Sequence, residues 1–261
     1  MTEIAMQLEG VACGYGARTV LANVDLSIPR GKLFCLLGPN GVGKTTLFKT
    51  MLRLLPLQRG VIRIGGEDVA RWSDARFAKT VAYVPQAHTP PFPFSVIDVV
   101  SIGRAAHLGP FAAPGASDLA VARQALETLA IGHLAERPYT EISGGERQLA
   151  LIARALAQQP EILVMDEPTA SLDFGHQIRV LDHVCELTRR SKLTVVMTSH
   201  DPNQALRHAQ SVATLGRNGA VFVGCPSAAI TENYLFDTYG VRTQRVAVPG
   251  SRGVIVPAQQ D

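Results

Sequence analysis

An α/β fold is predicted: a parallel sheet with helices on both faces, an antiparallel β segment at the N-terminal end, and an inserted helical segment. Three observations predict it. First, Leu33-Phe34-Cys35-Leu36-Leu37, Ile162-Leu163-Val164-Met165 and Val195-Val196-Met197 are short and continuously apolar, as strands buried on both faces are, and each leads into polar residues. Second, apolar residues alternate at Val24, Leu26 and Ile28 ahead of the turn Pro29-Arg30-Gly31-Lys32, which reads as an antiparallel strand with one solvated face. Third, between about residues 88 and 157 the apolar spacing becomes three and four, as at Leu119, Ala122, Leu126 and Leu129, which reads as helix.

The first buried run ends in Gly38-Pro39-Asn40-Gly41-Val42-Gly43-Lys44-Thr45, followed by Thr46 and a helix-compatible stretch. This fits G-x-x-x-x-G-K-S/T between a strand and a helix, the context that a phosphate-cradling loop requires. Glycines let the backbone wrap a phosphate with successive N–H groups pointing inward, and the helix N-terminus adds a favourable field. Lys44 is expected to reach the β and γ phosphates, and Thr45 to place its hydroxyl on Mg²⁺. A functionless Gly-rich turn is the competing reading, and the flanking strand and helix weigh against it. Alone, the loop leaves kinases, GTPases and many ATPases open.

The second buried run delivers Asp166 and Glu167 at its C-terminal end, where ligands bind in open α/β sheets. Asp166 suits the Mg²⁺ shell and Glu167 could polarise an attacking water; the competing reading is a solvated acidic turn. Ser143 stands where a helix N-cap is expected, before a helix whose Leu149, Ile152, Ala153 and Leu156 share a face. Arg217-Asn218-Gly219-Ala220 lies between strand-like runs and reads as a two-residue hairpin turn.

Composition narrows the classes. With 261 residues, 46% hydrophobic and 18% charged, the chain can bury a sizeable core and is neither disordered nor fibrous. A net charge of +3 without a block of five like charges lacks the footprint of a nucleic-acid binder, so no nucleic-acid partner is expected. Cys13, Cys35, Cys185 and Cys225 form no C-x-x-C pair and are expected to be reduced, packed thiols. The start MTEIAMQLEG does not read as a secretion signal, and no apolar run reaches membrane-span length, so a membrane role needs a separate partner.

Ile142-Ser143-Gly144-Gly145-Glu146-Arg147-Gln148 resembles the L-S-G-G-x signature of the ATP-binding cassette (ABC) family, with Ile142 in place of Leu. The rest of the family pattern follows in order. Tyr15, in a Gly-Tyr-Gly turn, matches the aromatic that stacks on adenine. Gln86 matches the loop glutamine that touches Mg²⁺ and water. Ser171-Leu172-Asp173 matches the segment that crosses to the opposite subunit, and His200 the switch histidine at the γ-phosphate. The other six histidines have no such setting and are expected to be surface or structural.

This resemblance, running from Tyr15 to about Gly240, implies a P-loop NTPase core at about 1–87 and 158–240, a helical insertion at about 88–157 and a tail at about 241–261. It implies a homodimer that binds ATP and Mg²⁺ between a phosphate loop and the other chain's Ser143-Gly144-Gly145. Glu167 is then the base, assisted by His200, Gln86 and Lys44. It also implies a membrane permease partner, a position on the cytoplasmic face of the membrane, and a periplasmic binding protein acting indirectly. VIDVVSIGRAAHLG, Ala170-Ser171-Leu172-Asp173-Phe174-Gly175 and TENYLFDTYGV look like importers of metal chelates, meaning iron-siderophore, haem and cobalamin systems and their molybdate relatives. Phe92 and Phe94, set among Pro90, Pro91 and Pro93, are expected either in the insertion's own core or in a groove for a permease helix. The rival from another class is a soluble cassette ATPase serving cytosolic assembly, such as iron-sulfur cluster assembly.

Overall fold

The alternation of Val24, Leu26 and Ile28 produces the strand it predicts, all three side chains buried and Asp25 and Ser27 between them exposed. In the computed structural model, which describes residues 3–85, 93–109, 112–217 and 219–258, the chain begins β1 (Ile4–Tyr15), β2 (Arg18–Pro29), β3 (Leu33–Leu37) and α1 (Lys44–Met51). It continues through β4 (Arg59–Ile64), β5 (Glu67–Asp68), α2 (Asp74–Thr80), β6 (Val81–Val84), α3 (Val96–Ser101), α4 (Ala116–Thr128) and α5 (Gly144–Ala157). Next come β7 (Ile162–Met165), α6 (Phe174–Ser191), β8 (Thr194–Ser199), α7 (Pro202–His208), β9 (Ser211–Leu215) and β10 (Val221–Gly224). The described chain closes with α8 (Pro226–Ala229), α9 (Glu232–Tyr239), β11 (Thr243–Val246) and β12 (Val254–Pro257). It divides into two units, Met1–Arg71 with Thr188–Asp261, and Trp72–Leu187; the expected helical insertion falls inside the second.

In the first unit an antiparallel sheet has the order β2-β1-β4-β5. Beside it, β3 is buried along its whole length and paired in parallel on both edges, Leu33 to Leu37 with Val195 to Ser199 of β8 and Phe34 to Leu37 with Ser211 to Thr214 of β9. The β9–β10 hairpin forms, but its turn differs from the two-residue expectation. The Gly219 N–H donates to the Gly216 carbonyl at 3.0 Å, and the Gly216 N–H to the Ala220 carbonyl at 2.9 Å, which closes a three-residue loop. Gly219, at φ 78°, takes the left-handed position such a loop needs. Asn218 lies outside the described residues.

The C-terminal hairpin of β11 and β12 is tied to α7. The Asn203 side chain donates to the Ile255 carbonyl at 3.0 Å and accepts from the Ile255 N–H at 2.8 Å. Arg252 donates to the carbonyls of Leu206 and Ala209, caring for acceptors that the helix end leaves unpaired.

In the second unit β6 and β7 pair in parallel, Val81 to Val84 against Ile162 to Met165. Helix α5 buries Leu149, Ile152 and Ala153, with Leu156 half-buried. In α4, Ala122, Leu126 and the following Leu129 are buried, but Leu119 is exposed, because the helix starts only at Ala116 and its first turn meets solvent. Gly103 lies so close to α5 that a Cβ would stand 2.0 Å from the Arg154 carbonyl oxygen. The adjacent Arg104 donates to Asp118 in the first turn of α4 at 2.9 Å and to the Ala157 carbonyl of α5 at 2.8 Å, joining the two helices. Cys13, Cys35 and Cys185 are buried thiols, whereas Cys225 is exposed just before α8 instead of packed. No helix of the described residues is long and apolar enough to cross a membrane.

Candidate functional site

The parallel ladder delivers β3 to the phosphate loop with its end pinned: the Gly38 N–H donates to the Ser199 carbonyl of β8 at 3.3 Å. Gly38 is hemmed in, since a Cβ there would lie 3.0 Å from Val42 Cγ1 and 3.1 Å from the Leu215 carbonyl oxygen. Gly43 caps α1 at φ 109° and supplies no side-chain acceptor, so that helix end offers its N–H groups to an anion. A Cβ at Gly43 would meet Leu21 Cγ at 2.9 Å, so the hairpin from Tyr15 through Leu21 braces the loop.

Lys44 is buried, and its ammonium donates to the carbonyls of Gly38 at 2.7 Å and Pro39 at 3.1 Å. Asn40, Gly41 and Thr45 are exposed, Pro39 and Val42 half-buried and Thr46 buried, which leaves the Thr45 hydroxyl on the open side of the helix end. Tyr15 keeps about half its surface exposed at the end of β1. His200 is exposed one residue beyond the Ser199 that holds Gly38, and its carbonyl accepts from the Tyr239 hydroxyl at 3.3 Å. The first unit therefore brings together the phosphate loop, the tyrosine hairpin and the strand end that bears His200.

In the second unit, the Asp166 N–H donates to the Val84 carbonyl at 3.1 Å, placing Asp166 where β6 and β7 both end. Its charge adds to burial in raising the Tyr83 hydroxyl above its ordinary pKa. Glu167 has φ 44°, a left-handed backbone uncommon for a residue with a side chain and one that clusters at functional turns. Gln86 and Phe92 lie outside the described residues; Phe94 is described and about half exposed.

Ser143 caps α5 in a reciprocal box: the Glu146 N–H donates to its hydroxyl at 3.3 Å, and the Ser143 N–H donates to the Glu146 carboxylate at 2.7 Å. The Ser143 N–H and the Ser143 hydroxyl, both beside the Glu146 carboxyl, hold it below the usual carboxylate range. Gly144 is half-buried, its Cβ position 3.9 Å from Leu172 Cδ2, while Gly145 is buried against the ring of His176. Asp173 accepts from the backbone N–H of His176 at 2.9 Å, and its other oxygen is 2.6 Å from His176 Nδ1; both contacts lower its pKa. Two participants were not singled out from the sequence. Glu146 was legible as the last residue of an S-x-x-E box, but nothing in the spacing places His176 on Gly145.

The profile of the ABC transporter family matches residues 21–170, which include both the phosphate loop and the signature turn. The chain belongs to that family. The cassette accordingly binds ATP and hydrolyses it in the service of transport. It is 39% identical to the achromobactin transport ATP-binding protein of Dickeya dadantii over 84% of this chain and 81% of that one. With the ferric enterobactin transport ATP-binding protein of Escherichia coli it shares 34% identity over 95% and 93%. Among solved structures it matches a chain of an inward-facing transporter described as of metal-chelate type, at TM-score 0.87 and 31% identity, over 99% of both. These likenesses lend no support to the iron-sulfur assembly alternative.

Proposed function

We propose that this cassette energises import of a metal chelate of the iron-siderophore, haem or cobalamin kind through a separate permease. One observation carries the reading: the likeness to the metal-chelate-type transporter spans 99% of the chain, including the C-terminal hairpin region that lies outside the matched family profile. On this reading the cassette works on the cytoplasmic face of the membrane, and a periplasmic binding protein hands the chelate to the permease. The half-exposed Phe94 belongs to the permease-facing surface.

Two copies would close on two nucleotides, each held by the phosphate loop of one chain and by Ser143, Gly144 and Gly145 of the other, with Asp173 at the crossing. Tyr15 stacks on adenine. Gly38 and Pro39 shape the loop, the N–H groups from Asn40 to Thr46 cradle the phosphates, and Lys44 exchanges its carbonyl partners for phosphate oxygens. The exposed Thr45 hydroxyl and the Asp166 carboxylate are hard oxygen donors that fit Mg²⁺, with Gln86 as a further donor. Bound there, the ion would neutralise charge on the transferring phosphoryl group. Glu167 orients and deprotonates the attacking water, and His200 steadies the γ-phosphate.

Co-purification with a permease, followed by a screen of chelates for stimulated ATP hydrolysis, tests the proposal. Stimulation by a metal chelate is expected. Stimulation confined to a cytosolic assembly partner would overturn it.

A further inference from the structure

His176 touches two segments that the proposed two-cassette site uses. Its Nδ1 is 2.6 Å from Asp173 Oδ2, and its backbone N–H is 2.9 Å from Asp173 Oδ1. The other side of its ring lies against Gly145, where a Cβ would fall 2.1 Å from His176 Cδ2 and 2.6 Å from Cγ. Only glycine fits there. Gly145 is therefore required by its own chain, whatever it also meets across a dimer.

Stability is a poor account of this arrangement. The Asp173 side chain is 70% exposed, and a polar contact in that position contributes little to folding because water competes for it. The backbone N–H alone would suffice to cap α6. What the ring adds is geometry: it ties the turn before α6 to the turn before α5, two segments that are far apart in sequence.

We infer that His176 is a positioning residue that holds the signature turn at Gly145 and the Asp173 turn in fixed register, so that both meet the partner cassette's nucleotide together. The inference rests on the proposed two-cassette site. It requires both contacts of the ring at once, because either contact alone orients one turn and leaves the other uncoupled.

Three variants separate this from simpler roles. His176→Ala removes both contacts. His176→Asn keeps a nitrogen donor for Asp173 without the ring, and His176→Phe keeps a ring on Gly145 without the donor. For each, ATP affinity of the single chain, kcat and KM for hydrolysis, and thermal melting would be measured. ATP-driven dimer formation would be followed by size-exclusion chromatography in a Glu167→Gln background.

All three variants are expected to bind ATP within about twofold of the parent and to lose kcat on the order of 10- to 100-fold, as misplaced catalytic groups do, with matching loss of dimer formation. Full recovery in His176→Asn would reduce the residue to an orienter of Asp173, and full recovery in His176→Phe would reduce it to packing. Either result overturns the inference, as does parental activity in His176→Ala. A parent chain that binds ATP yet neither dimerises nor hydrolyses it would instead overturn the two-cassette reading, and that is visible before any variant is made.

Discussion

The ammonium of Lys44 lies 2.7 Å from the carbonyl oxygen of Gly38, at the opposite end of the same loop. The charge is thus already placed at the mouth of the cradle, with part of its desolvation met by loop carbonyls. Lys44→Ala is expected to weaken ATP binding by about 10- to 100-fold, the worth of one or two charge-assisted hydrogen bonds. The helix and the left-handed glycines remain, so circular dichroism should be unchanged. Titration calorimetry with ATP checks this, and an affinity within a factor of about two of the parent would exclude Lys44 from phosphate contact.

Glu167→Gln should keep ATP affinity and lose turnover by about 10²- to 10⁴-fold, because the amide fills the same space but takes no proton. Retained ATP should then hold two chains together. Chromatography with ATP tests for the dimer; hydrolysis at the parental rate would exclude Glu167 as the base.

Replacing Ser143 by Arg puts a bulky cation in the capping box and should abolish hydrolysis while the chain still binds its own nucleotide. Mixing Ser143→Arg with Lys44→Ala chains creates heterodimers with one site built from undamaged halves, so activity should partly return. Loss of ATP affinity in the Ser143 variant alone, equal to that of Lys44→Ala, would place the signature in its own chain's site.

Acid stability should depend on Asp118. Its hydrogen bonds from Arg104 and from the Gly115 N–H hold its carboxyl below the ordinary carboxylate range. A depressed folded-state pKa stabilises fully above the unfolded value of about 4, and the benefit is lost as pH falls through the folded value. The melting-temperature gap between the parent and Asp118→Asn should therefore be open at neutral pH and close under acid. A gap independent of pH would assign Asp118 no ionic role.

Much of the candidate site was legible because the patterns that define it are local in sequence. The phosphate loop, Asp166 and Glu167, and the capping serine are each a short spacing of residue types that backbone geometry demands. Hidden features depend on residues that meet only after folding. The ring of His176 on Gly145 joins positions that no periodicity connects. The exposure of Leu119 depends on where α4 begins, and the three-residue β9–β10 loop turns on which residue takes the left-handed position. Glu167's left-handed backbone is likewise invisible to a pattern that sees only an acidic residue after a strand.

The distribution of cysteines has a practical consequence. Three thiols are buried, Cys35 so deeply that its pKa is pushed up to about 12, while Cys225 alone of the four is exposed. Because the thiolate is the reactive form, a maleimide should label each native chain once, at Cys225. A spectroscopic probe can thus be attached without mutagenesis, and in any dimer the pair of probes supplies a distance between chains. Labelling beyond one per chain would then be a clock for unfolding, since each additional thiol reacts only once the strand or helix covering it has opened.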